Sequence, residues 1–489
     1  MTLKWPVASL LFASLALAAC EDGATGGGDA GADLAAPALP SVSAVARASG
    51  ENVVSALVDV TTGHADTVVV EWGDSTQYGH QTPALPAPDG TQTITVVGLT
   101  PSATSHLRVT ATSALGSSMS GDLTVAGGPL PSALPTWHVT TPSNAVTGYL
   151  MISLVRVADW QGWAEIVDRE GRIVWYRRAR GTAAPMVFDR LINGRYAFYQ
   201  NDLLGTEEID LSGKVYRLWT EPASVAPLGA DGHEFLLLPN HNATMIGMDQ
   251  HSVDTRPYFD GGIADANELH NSLDEIDPDG GVAFHWSTYP EITPGDLTPD
   301  VLPQSPTAPD ISHGNAASVA PDGNYIYHVR AASQLIKLDR KTAAIIWKMG
   351  GKRGDFTFVN DSGNGFSHGH DFHYLANGNL ACIDNGIEHK PAVTRALEYQ
   401  IDEKAKTATL VWEYHHAPEI FSPLAGSIRR LPNDDTVVAY GQAGTITQVD
   451  KNKAVVWEIQ QQPMMLAPDA GVPMLYVIYR AIPLASIYP

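Results

Sequence analysis

Three segments of this chain place imidazoles just ahead of a run of strand-forming residues: Gly232-His233-Glu234-Phe235, Ser312-His313-Gly314-Asn315 and Ser367-His368-Gly369-His370-Asp371-Phe372. Arg330 follows the second, in Tyr327-His328-Val329-Arg330-Ala331, and Lys352 and Arg353 stand in Gly350-Gly351-Lys352-Arg353-Gly354. Gathered in one place, Arg, Asn and imidazole donors suit a small tetrahedral anion. They hold its non-bridging oxygens while one neutral imidazole attacks the central atom. Phosphoryl transfer usually enlists Mg²⁺ held by carboxylates or a P-loop, and neither a P-loop nor a convergent set of acids is read in the sequence. A sulfate monoester carries one negative charge, so Arg and His alone can serve it. No metal and no cofactor is expected.

These side chains need a frame that brings distant segments to one point. From about Val146 onward one unit recurs: an Asp, a turn, then β-branched or apolar residues ending in Trp. Its copies run Asp168 to Trp175, Asp210 to Trp219, Asp277 to Trp286, Asp339 to Trp347, Asp402 to Trp412 and Asp450 to Trp457. A weaker turn repeat, such as Ala320-Pro321-Asp322-Gly323 and Leu375-Ala376-Asn377-Gly378, precedes the later ones. Six supersecondary units with variable loops predict a six-bladed β-propeller of four-stranded blades over 146–489. The run Leu475 to Arg480 is one further strand. In a propeller the innermost strand starts at the channel mouth, so the three His segments, of blades 3, 4 and 5, aim at one place. The end of the next strand returns there, which brings Arg330 beside His313 and Asn315.

Before the propeller, 41–127 alternates in short strands, Val53 to Val60, Thr67 to Trp72, Thr91 to Val97 and His106 to Thr112, the spacing of a small β-sandwich. Within it, Leu99-Thr100-Pro101 leading to His106 resembles the fibronectin type III pattern, with His106 where Tyr is usual. Residues 128–145 read as a Gly/Pro-rich linker. Lys4, the apolar run Val7 to Leu17 and Leu17-Ala18-Ala19-Cys20 resemble a bacterial lipoprotein signal over 1–19. Cys20 is then the lipidated residue, and 20–40, rich in Gly, Ala and Asp, a flexible tether. The expected location is the cell envelope, anchored to the outer membrane and facing the periplasm. A net charge of −23 argues against nucleic acid as a partner. Two cysteines, Cys20 and Cys382, exclude a disulfide framework, and Cys382 reads as buried and inert.

At His313-Gly314-Asn315, at Arg330 through Arg340, at His370-Asp371, at Trp347 through Lys352 and at Tyr479-Arg480-Ala481, the chain resembles the bacterial arylsulfate sulfotransferases. The resemblance covers most of the chain from Val146 onward. It implies a six-bladed propeller behind a small sandwich, and transfer of a sulfuryl group from a phenolic sulfate ester to a phenol without a nucleotide donor. Carried over, it makes His370 the nucleophile that forms a sulfohistidine. His313, Asn315 and Arg330 then bind sulfate oxygens, and His233 acts as acid or base at the phenolic oxygen. His368 is an extra imidazole near the nucleophile, read as substrate-binding together with Lys352 and Arg353. Some members carry a disulfide near the site, for which this chain has no Cys pair.

Other readings stand beside this one. The same site with water as acceptor makes a sulfatase-like hydrolase, and the same architecture without chemistry makes a surface-tethered binding propeller. His368, His370 and His373 could ligate Zn²⁺ or Cu²⁺, although alternation along a strand sends Asp371 and His373 to the other face. His106, His138, His285, His389, His415 and His416 read as surface or core, and His270-Asn271-Ser272 as structural.

Overall fold

The repeated Asp is a turn former. In all six copies its carboxylate accepts the main-chain N–H two residues on, at 2.8 to 3.0 Å, an Asx turn that reverses the chain into the outermost strand. The Trp that ends each unit packs between blades. Trp175 donates its Nε1–H to the Leu211 carbonyl, one residue past the Asp of the next unit, at 2.9 Å. Trp457 of the sixth unit does the same to Arg169, one residue past Asp168 of the first, also at 2.9 Å. The contact that joins blade 1 to blade 2 therefore recurs between blade 6 and blade 1.

The computed structural model describes residues 38–143, 146–156, 161–181, 186–301, 307–462 and 476–488. The signal segment, Cys20 and nearly all of the tether lie outside them. The described chain is all-β, and its propeller sheets are antiparallel blades in chain order. The innermost strands are Val477–Leu484 in blade 1, Phe188–Arg190 in blade 2, Ala230–Leu237 in blade 3, Gly314–Val319 in blade 4, His370–Tyr374 in blade 5 and Ser427–Arg430 in blade 6. The extra strand of the sequence is thus the inner strand of blade 1, paired with Tyr149–Arg156. Each blade touches the next, and blade 6 touches blade 1. Within 128–145, expected as linker, Trp137–Thr141 is a strand that adds to the outer edge of blade 6 on Val455–Gln461. Thr357–Val359 adds a parallel strand to blade 5.

Burial follows this stacking. Middle strands such as Tyr325–Val329 and Thr445–Val449 are buried at every position, because blades cover both faces, while the outer strand Val282–Ser287 alternates toward solvent. Short continuous apolar runs are what two-sided burial demands.

The sandwich has one sheet of Ser41–Ala48, Ser55–Gly63 and Gly90–Val97, and a second built on Thr67–Gly73 and Thr104–Ser113. It shares one apolar core with blades 1 and 2: Val58, Val96 and Leu107 lie in the same cluster as Trp175, Phe188 and Phe198. At about 1.5–3 kcal/mol per fully buried large side chain, this junction is a packed interface. Gly98 N–H donates to the Val174 carbonyl, and Asn52 Nδ2 to that of Tyr176, each at 2.9 Å.

Trp457 is fully buried at the junction of blades 6 and 1. Trp457→Ala should therefore cost about 3–5 kcal/mol, seen as a lower denaturant midpoint. An unchanged midpoint would mean that this junction does not hold the ring.

Candidate functional site

The inner strands of blades 3, 4 and 5 share a departure from regular pairing. In blade 3 the register runs from Asp231 opposite Ile246 to Phe235 opposite Met245, so Gly232, His233 and Glu234 bulge out. In blade 4, Gly314 faces Val329 and Ala316 faces His328, leaving Asn315 as the extra residue. In blade 5, His370 faces Ile383 and His373 faces Ala381. Blade 1 bulges as well, at Tyr479. Blades 2 and 6, which carry no His at this position, pair without a shift. A bulge bends its strand and re-aims the side chain beside it, and here four bulges turn their residues inward together.

The rings meet as a result. His233 and His313 lie edge to face with centroids 5.1 Å apart, and Tyr479 stands 5.6 Å from His233 and 6.2 Å from His370. The Tyr479 hydroxyl lies 3.1 Å from the His233 carbonyl and 3.0 Å from that of Asn315, tying three bulges to each other. Beneath them runs a belt of buried charge. Arg480 grips both oxygens of Glu234 at 2.7 and 2.5 Å and approaches Asp371 at 3.5 Å, and Asp371 also pairs with Arg429.

Hydrogen bonds fix the tautomer of His370. Asn385 donates its Nδ2–H groups to the Ser422 and Ala425 carbonyls at 2.7 and 2.9 Å, which leaves Oδ1 as an acceptor facing His370 Nδ1 at 2.7 Å. His370 Nδ1 must then carry the proton, and Nε2 keeps a lone pair with no hydrogen bond among the described residues. Burial, and secondarily the charge of Arg330, push the His370 pKa well below the usual histidine value. The ring is neutral at neutral pH.

His368 differs. Both its nitrogens are engaged, Nδ1 with Ser367 Oγ and Nε2 with Thr298 Oγ1, each at 2.9 Å, and Asp300 lies 3.2 Å from Nε2. Burial and Arg330 lower its pKa to about 4. His328 is fully buried, stacked on Phe372 at 4.3 Å and bonded through Nδ1 to Asn315 Oδ1 at 2.7 Å. Asn315 in turn donates to the Gly369 carbonyl at 2.9 Å, next to His370.

Arg330 is half-buried and donates to the Pro423 carbonyl at 3.4 Å. No carboxylate pairs with it among the described residues, and desolvation lowers its pKa against the opposing pull of Asp300 and Asp310. The structure thus gathers His233, His313, Asn315, Arg330 and His370 at the mouth. It keeps Lys352 and Arg353 out of this cluster. Lys352 donates to the Gly295 carbonyl at 2.9 Å, and Arg353 is held by Asp296 at 2.5 Å and Glu291 at 3.3 Å. The charge of Arg353 is drawn to acids of a neighbouring loop, so the expected positive patch is partly neutralised there.

Several contributors were absent from the sequence reading. Asp231 pairs with His233 Nδ1, and Asp310 with His313 Nδ1 at 2.9 Å. Asn271, read as structural, accepts from Gly314 N–H and Ser312 Oγ at 2.9 and 2.8 Å and donates to Asp231 at 3.2 Å. Asn385 follows the second strand of blade 5 as Arg330 follows that of blade 4, so the topology that located Arg330 was the signal for it. His368, His370 and His373 do not converge: His373 Nδ1 turns to the Asp371 carbonyl at 2.8 Å. No group of three or more His, Cys, Asp or Glu is placed to hold a metal among the described residues. Cys382 is buried.

Asn385→Leu should release the His370 tautomer. Long-range ¹H–¹⁵N spectra should show a single Nδ1–H form in the parent protein and a mixture in the variant; an unaltered spectrum would mean that Asn385 does not set the proton position.

The arylsulfotransferase (ASST) family model matches residues 138–480. Among solved structures, the chain is similar to a protein of unknown function from Bacteroides caccae, at 13% identity over 70% of this chain and 100% of that one, with a TM-score of 0.43. It is also similar to virginiamycin B lyase from Staphylococcus aureus, at 11% identity over 68% of this chain and 90% of that one, with a TM-score of 0.34. No curated protein matches it.

Proposed function

The chain belongs to the arylsulfotransferase family, and from that footing we propose that it moves a sulfuryl group from a phenolic sulfate ester to a phenol by a ping-pong route through a sulfohistidine at His370. The observation that carries this reading is the pairing of His370, proton on Nδ1 and lone pair on Nε2, with Arg330, a cation without a carboxylate.

In the first half-reaction His370 Nε2 attacks sulfur. The S–N bond forms, the S–O(aryl) bond breaks, and the leaving phenolate oxygen takes a proton from the imidazole of His233 or His313. Asp231 and Asp310, bonded to the Nδ1 atoms of those rings, orient each ring and leave Nε2 to exchange the proton. In the second half-reaction an acceptor phenol returns a proton to that imidazole, its oxygen attacks sulfur, and the S–N bond breaks. Covalent catalysis divides one hard displacement into two. The Arg330 fork neutralises the sulfuryl oxygens, a geometry that Lys cannot copy. Asn315 supports the site from behind through Gly369 and His328.

The test is turnover of para-nitrophenyl sulfate with and without excess phenol, beside intact-protein mass. Phenol-dependent release and a sulfuryl adduct in its absence are expected. His370→Ala should abolish both, and Arg330→Lys should lose roughly 10² or more in rate. Because the His370 pKa is lowered, nucleophilic activity is present above the folded pKa and lost as pH falls through it. The acid limb of single-turnover release should therefore lie below the ordinary value of 6.5. Release that ignores phenol would make the protein a hydrolase, and an active His370→Ala would remove the nucleophile assignment.

The reading extends to location: an envelope lipoprotein acylated at Cys20. Cells fed labelled palmitate should label the parent protein and fail to label Cys20→Ala; equal labelling of both would end this part of the proposal.

A further inference from the structure

Aryl sulfates and aryl phosphates share a tetrahedral head and differ in charge. The sulfate is a monoanion, while the phosphate loses a second proton near a pH of about 6 and is then a dianion. What a site offers in net charge decides between them.

The mouth offers little positive charge. Arg330 has no carboxylate partner among the described residues, and the buried rings of His370, His328 and His368 are held neutral. Lys352 and Arg353 bond to the connection between blades 3 and 4 instead. In the belt beneath, Arg480 and Arg429 are matched by Glu234 and Asp371, and Asp189 of blade 2 is a further acid within the field of both arginines. Asp231 and Asp310 stand on the rings of His233 and His313.

Asp300 adds one more negative charge. It lies on the connection from blade 3 to blade 4, which is pinned beside Arg330 by the Thr298 N–H donating to the Ala331 carbonyl at 3.0 Å. Its carboxylate lies 3.2 Å from His368 Nε2. Ser367 Oγ accepts the Glu388 N–H at 3.1 Å and turns its own hydrogen to His368 Nδ1 at 2.9 Å, so the ring carries its proton on Nε2 and gives it to Asp300. A neutral donor orients the carboxylate without cancelling its charge. No cation pairs with Asp300 among the described residues, its side chain is 40% exposed, and Arg330 lies within its field. Glu388 is close enough for the Asp300 charge to push its pKa up, against the pull of Lys352.

One free cation flanked by a fixed acid can match one negative charge, and a second on the ligand meets repulsion. We propose that Asp300 is a specificity-determining residue of the mouth, admitting monoanionic sulfate esters and turning away dianionic phosphate esters of the same shape. His368 is then a positioning residue that holds Asp300 in place. The inference rests on the reading of Arg330 as the sulfate-binding cation.

The experiment is calorimetric binding of phenyl sulfate and phenyl phosphate to the full chain carrying His370→Ala, so that neither ester is consumed, between about pH 5 and about pH 8. The preference for sulfate should rise as phosphate becomes a dianion. Adding Asp300→Asn should tighten phenyl phosphate by about tenfold at the alkaline end and phenyl sulfate by only about threefold, because a dianion meets the removed charge twice. Glu170→Gln, which removes an exposed acid from a blade 1 turn, should change neither. Equal gains for the two esters, no gain in Asp300→Asn, or the same gain in Glu170→Gln would each overturn the proposal. If those results accompany para-nitrophenyl sulfate turnover by the protein with His370 intact, the transferase reading stands without it; if neither ester binds, both fall.

Discussion

The contact between Arg480 and Glu234 crosses the propeller channel from blade 1 to blade 3, with two N–H···O bonds of 2.7 and 2.5 Å buried from solvent. A pair of this kind is costly to desolvate, yet removing one partner costs about 3–5 kcal/mol because the other charge is left stranded. Both residues sit at bulges, and their neighbours Tyr479 and His233 are the ones that meet above them. The ion pair therefore fixes how far each bulge leans into the channel. Asp371, shared between Arg480 and Arg429, extends the same constraint to blades 5 and 6. Positions in the histidine layer follow from this charged layer beneath it.

The backbone carries some of the cost. His313, His368 and Asp371 have φ of 46°, 56° and 59°, values that disfavour any residue with a Cβ and cost about 1–3 kcal/mol each. Hydrogen bonds over-determine these conformations: His313 N–H to Asp310, His368 N–H to Ser333 Oγ, and Asp371 Oδ2 accepting from Ile428 N–H. The electrostatics run the same way. Burial keeps His370, His328 and His368 neutral, and the unpaired charge of Arg330 reinforces that neutrality while remaining available to an anion.

Much of this was legible from residue pattern. The Asp-to-Trp repeat named six blades because one turn chemistry and one buried Trp recur in each, and the placement of His233, His313, His370 and Arg330 followed from where inner strands begin. What escaped was local. Bulges leave no mark in hydrophobic periodicity, since the extra residue can be Asn315 or Asp371, polar residues that read equally as turn or strand. Lys352 and Arg353 were misplaced because sequence shows their charge but not their partners more than fifty residues earlier, the Gly295 carbonyl for Lys352 and Glu291 and Asp296 for Arg353. The strand Trp137–Thr141 hid in a Gly/Pro-rich stretch because its pairing partner, Val455–Gln461, lies at the other end of the chain.

The closing strand has a consequence in time. Arg480 N–H bonds to Ser153 Oγ across 327 residues of chain, and the same strand supplies Tyr479 to the mouth. Synthesis from the N-terminus delivers the inner strand of blade 1 last, so blade 1 cannot be completed until the rest of the propeller has been made. The histidines of blades 3, 4 and 5 can be in place before Tyr479 and Arg480 arrive, but the belt that sets their depth cannot. Maturation of the mouth is thus coupled to completion of the ring, and a partly made chain has the residues of the site without its geometry.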